Sequence, residues 1–150
     1  MSHLSQIVET KLTDLGALER AIEIACLKRK LKLELEIAPG LDIRGWAGQL
    51  QDKQYVAVIR ALNLRADIGL AFIPAAGFPT DTVPIIENGV LTNGHFTLEA
   101  DLMMLPELGP NLNLISNLYN AAVIESLFGG QTENEFQMEL QTDNTVVINT

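Results

Sequence analysis

Leu31, Leu33, Leu35 and Ile37 alternate with Lys32, Glu34 and Glu36. Successive side chains of a strand point to opposite faces, so this period of two demands a sheet with one buried and one solvated face. That is the habit of antiparallel sheets, since parallel ones are covered on both sides. The buried face then needs a covering layer of helical period, and two segments supply one. Leu15, Leu18, Ile22 and Ala25 recur at helical spacing over residues 14–27, with Thr13 or Asp14 as the cap. Ile115, Leu118, Ala122 and Ser126 do the same over residues 112–128, which Gly129-Gly130 would end.

The remaining strand signals fall around these helices. Residues 3–12 are rich in β-formers, and Pro39-Gly40 marks a turn before a strand over 41–50, with Gly45 and Gly48 as bulge or close-approach points. Residues 55–60, 66–73 and 95–101 read as further strands, and 135–141 with 145–148 as a closing hairpin turned near Asp143-Asn144. Residues 74–94 form an excursion from the sheet. They carry two Asn-Gly pairs, and Ile85-Ile86 and Val90-Leu91 flank Asn88-Gly89, as expected of a tight hairpin. The expected fold is α+β: an antiparallel-rich sheet with two helices packed mainly on one face, in the order strand, helix, strands, helix, two strands. At 150 residues the chain is expected to form one domain over 1–150. Similar openings at His3-Leu4 and His95-Phe96 give a faint internal symmetry.

Charge is unevenly placed. Through Arg65 there are ten basic and eight acidic side chains, a balance near +2; from Ala66 onward there are eleven carboxylates and no Lys or Arg, a balance of −11. Such a second half repels phosphate and argues against nucleic-acid binding. It suits a basic partner, or the basic part of a sister subunit. Charged residues make up only 19% of the chain against a usual figure of about 25%, which points to surface covered by something else. One cysteine, Cys26, permits no internal disulfide and suggests a reducing compartment. The opening residues lack the pattern of a signal peptide, and no window has the apolar length of a membrane span. A cytoplasmic location is therefore expected.

A catalytic constellation is not legible. His3, His95 and Cys26 are far apart and lack metal-ligand spacing. There is no nucleophile elbow and no phosphate-binding loop. Cys26 lies on or beside the apolar stripe of the first helix, where a structural thiol is expected, and Lys28, Arg29, Lys30 and Lys32 complement the end of that helix. Glu34 and Glu36, Glu99 and Asp101, and Glu133 and Glu135 stand two apart on strands and are expected on the wet face. No cofactor, metal or catalytic residue is expected. Should a ligand or interaction site exist, its candidates are Arg44, Trp46, Asp67 and His95 around a sheet mouth, with His3 brought beside His95 by the internal symmetry.

Several stretches carry a family resemblance. They are Met1-Ser2-His3-Leu4-Ser5-Gln6-Ile7, Leu12-Thr13-Asp14-Leu15-Gly16-Ala17-Leu18, Ile43-Arg44-Gly45-Trp46-Ala47-Gly48-Gln49, Ala66-Asp67-Ile68-Gly69, and Leu118-Tyr119-Asn120-Ala121-Ala122-Val123. Over nearly its whole length the chain resembles the conserved hypothetical chloroplast reading frame thirty-five family, a domain of unknown function also found in cyanobacteria. It differs where that family has basic residues and a histidine after the helical tyrosine, and at residues 74–94. The resemblance implies a cytoplasmic or stromal accessory protein, and a possible ATPase partner, but no reaction. Together these readings favour a non-enzymatic accessory or assembly protein acting by protein–protein contact or self-association. The alternatives are a small-ligand binder or enzyme at a sheet mouth, and a structural subunit of a larger particle.

Overall fold

The computed structural model describes residues 5–45, 53–128 and 137–149. Five antiparallel strands form the main sheet: β1 (Ser5–Leu12), β2 (Leu33–Leu41), β3 (Tyr55–Ala61), β4 (Ile68–Pro74) and β7 (Gly94–Asp101), in the spatial order β1-β7-β4-β3-β2. Two helices, α1 (Leu15–Arg29) and α2 (Asn113–Leu127), complete the expected α+β architecture. Asp14 caps α1, its carboxylate accepting from the Ala17 amide at 3.0 Å. Leu15, Leu18, Ile22 and Ala25 are buried as their spacing requires. They share one core with Leu114, Ile115, Leu118 and Ala122 of α2 and with Ile59, Leu70, Phe96 and Leu98 of the sheet. Ser126 departs from expectation: α2 is in its last turn there and the side chain is exposed.

Pro39-Gly40 is not a turn between strands. Both residues lie inside β2, where the pairing with β3 slips between Ile37 and Leu41, and Gly40 takes the positive φ that the irregularity needs. A proline is tolerated there because β2 is an edge strand. The separate strand expected over 41–50 does not form in its described part, residues 42–45; Trp46 and Gly48 lie outside the described residues, as do Gly129-Gly130. Three 3₁₀ turns, Leu102–Met104, Pro106–Leu108 and Pro110–Leu112, carry the chain from β7 to α2.

The excursion holds a small hairpin, β5 (Ile86–Glu87) and β6 (Val90–Leu91), turned by Asn88 and Gly89 at positive φ. Its tip is tied to the start of α1: the Leu15 amide donates to the Gly89 carbonyl and the Leu91 amide to the Thr13 carbonyl, both at 2.8 Å. The last hairpin, β8 (Gln137–Leu140) and β9 (Val146–Asn149), places Met138, Leu140 and Val146 against the core. Arg29 holds its turn through the Gln141 carbonyl and the Asn144 side chain.

Candidate functional site

Three carboxylates are buried at the sheet on the side away from the core, Asp67, Glu99 and Asp101, and the first two hold charged partners. Asp67 ends the β3–β4 connection. Its carboxylate accepts from the Arg44 amide at 2.9 Å, from Arg44 Nη2 at 2.8 Å, from Arg60 Nη1 at 2.9 Å and from the Ala61 amide at 3.1 Å. Burial pushes its pKa up, but the donors from Arg44, Ala61 and Arg60 outweigh that and hold it below the usual carboxylate range. Arg44 also donates to the Ala61 and Leu64 carbonyls, and Arg60 to the Asp42 carbonyl and Glu36. These bonds fasten the turn after β3 to the segment after β2.

Arg44 and Asp67, both singled out from the sequence, therefore meet. His95 does not join them. It pairs across from Ile73, at the far end of the β4–β7 ladder from Asp67. At about 3.3 Å per residue the separation along β4 is about 20 Å. Burial and the charge of Lys11 lower the His95 pKa. His3 and Trp46 lie outside the described residues, and Ser5 sits opposite Asp101, at the end of β7 remote from His95.

Glu99 and Asp101 were expected on a wet face, yet both are buried. Chain from elsewhere covers them: Gly45 approaches the Asp101 Cβ, and Lys53 and Tyr55 close over Glu99. The Tyr55 hydroxyl donates to Glu99 Oε1, and Lys53 Nζ stands 2.7 Å from the same oxygen. Between β3 and β7 the Tyr55 ring lies over Gly69 of β4, where a Cβ would overlap it. That glycine was the available sign in the sequence, because a glycine inside a strand marks close approach. Burial, then the bond to Glu99 and its charge, raise the Tyr55 pKa far above the tyrosine norm, so the phenol is a held proton donor and not a base.

Beside this cluster the sheet opens. β4 pairs with β7 from Gly69 to Pro74, but with β3 only at Val58–Gly69 and Ile59–Ile68. Past the last pair a cleft of about 410 Å³ lies between residues 53–56 of β3's approach and residues 70–73 of β4, with residues 80–84 as a third wall. Ile73, Phe78, Val83 and Ile85 are exposed on the same stretch of chain, Val83 to 71%. Among the described residues no three His, Cys, Asp or Glu side chains gather as a metal set, and no helix is long and apolar enough to cross a membrane. No family model, curated protein or solved structure matches the chain.

Proposed function

We propose that this protein is a non-enzymatic accessory or assembly subunit that binds another protein through the β3–β4 cleft and the apolar excursion beside it. One observation carries the reading: the sheet loses its pairing at a cleft lined by the exposed Ile73 and Val83, with Phe78 and Ile85 exposed on the same stretch of chain. Apolar surface gathered beside an unfilled groove is the usual setting of an interface. The polar groups near it support binding over chemistry, since Lys53 and Tyr55 are committed to Glu99 and Arg44 and Arg60 to Asp67. The lone cysteine fits a reducing, cytoplasmic setting, or stroma for a plastid-encoded chain.

A photo-crosslinking side chain placed at Val83, at Phe78 and, as a control, at Leu27 on α1 tests this in the native cell. Adducts of one defined mass at the first two positions and none at Leu27 are expected. Equal labelling at all three, or none at Val83 and Phe78, overturns the proposal.

A further inference from the structure

We infer that the occupant of the cleft is an extended, basic segment of a partner protein that adds as a strand to the open side of β4. This rests on the interaction reading above and names its chemistry. The Ala75 amide donates to the Asn93 carbonyl, continuing the register in which Ile73 and Ala71 lie opposite His95 and Thr97. Main-chain groups of a strand alternate in direction, so Ala71 and Ile73 address β7 while Phe72 presents its N–H and C=O to the cleft. Its neighbour on that side should be β3, but the ladder to β3 ends at Gly69. An unmatched strand side is a template for another strand. Residues 70–74 span about 17 Å, room for a strand of about five residues.

The charge around the cleft chooses the partner's sign. Lys53 is matched by Glu99, which leaves exposed Asp81 on the wall, in a half of the chain that holds no Lys or Arg. A segment with Lys or Arg at the Asp81 end, and apolar side chains at every second position against Val83 and Pro84, matches both features. A second copy of this surface repeats its negative sign and is disfavoured.

The probe is a random dodecapeptide library displayed on phage and panned against the full-length protein, the selected peptides then being synthesised. Selection should enrich Lys and Arg together with apolar residues at alternate positions. In amide exchange, bound peptide should slow Phe72 at least tenfold and Ala71 much less. Asp81→Lys should weaken binding about threefold, the size of a partly exposed ion pair, and reduce its salt dependence. Acidic or helically spaced binders, an unchanged Phe72 amide, or no enriched peptide overturns strand addition. The two readings separate cleanly. If peptides bind, spare Phe72 and are lost in Val83→Asp, the interaction surface stands and the strand does not. If neither peptides nor the Val83 crosslink report a partner, both fall.

Discussion

Asp67 and Glu99 are carboxylates buried in the same sheet and held in opposite ways. Asp67 takes two guanidinium groups and two main-chain amides, and sits where β3 and β4 are joined. Glu99 takes a neutral phenol and one ammonium group, and sits beside the place where those strands stop pairing. Two charged partners and the local backbone make the first a clasp. The second is reached from two strands away, by a ring that needs Gly69 beneath it. A buried charge thus serves fastening at one end of the β3–β4 seam and shapes an opening at the other.

The comparison is broken most severely at Asp67. Asp67→Ala leaves the Arg44 and Ala61 amides without their acceptor and takes the shared carboxylate from two guanidinium groups, which keep the Ala61, Leu64 and Asp42 carbonyls and Glu36. An unsatisfied buried amide costs about 1–3 kcal/mol, and water already screens the half-exposed Arg44, so a loss of about 2–3 kcal/mol is expected in urea denaturation. A loss under about 1 kcal/mol, the scale of an exposed pair, would show that the cluster is not a clasp.

Gly69→Ala attacks the second cluster through its shape. The added methyl overlaps the Tyr55 ring, so the ring must move off Glu99, at about 1–3 kcal/mol for an overpacked site. If that contact is the cause, adding Tyr55→Ala should cost less on the alanine background than on the native one, by more than the scatter of independent sites, about 0.5 kcal/mol. Strict additivity would place the damage elsewhere.

Much of the frame that positions these groups was legible because it rests on local periodicity. The Leu31–Leu35 alternation, the α1 stripe with its Asp14 cap, and Asn88-Gly89 each encode their structure within a few residues, while Ile37, expected on the buried face, is 51% exposed beside the irregularity of β2. The two clusters depend on distant chain. Glu99 alternates with Leu98 and Ala100 as a solvated residue would, and only the return of Lys53 and Tyr55 buries it. Arg44 and Asp67 were grouped correctly as neighbours, but His95 was grouped with them without knowledge of the antiparallel register that sends it to the other end of β7. Pro39-Gly40 has the local chemistry of a turn, and an edge-strand irregularity uses the same two residues. The tie of the excursion's hairpin to α1, through the Leu15 and Leu91 amides, has no local signal in the sequence.

Acid and alkali sharpen the contrast. The folded Asp67 pKa lies below its unfolded value, so its contribution is full above the ordinary carboxylate range and is lost as pH falls through the lowered value. The folded Tyr55 pKa lies above its unfolded value of about 10, so its contribution is full below that pH and is lost as pH rises beyond it. Asp67→Asn should therefore flatten the acid side of a stability-versus-pH curve, and Tyr55→Phe the alkaline side. Either substitution flattening the opposite limb would contradict the assignment.

Lys53→Met should have the smallest effect of all. Lys53 is the outer of Glu99's two partners and its side chain is 46% exposed, so water already screens the pair. Exposed ion pairs contribute about 0–1 kcal/mol, and the Nζ contact over the Tyr55 ring, lost with the charge, is screened by the same water. The Tyr55 hydroxyl still satisfies one Glu99 oxygen, so the carboxylate is not orphaned as the Arg44 and Ala61 amides are in Asp67→Ala. What the substitution changes is the charge at the cleft, which becomes more negative by one unit. Stability should fall by under about 1 kcal/mol, and the difference from the native protein should shrink as salt is raised toward 1 M, where exposed charges are screened over about 3 Å. A loss as large as that of Asp67→Ala, or one that salt does not diminish, would mean that the Glu99 cluster is a second clasp and that the seam is closed at both ends.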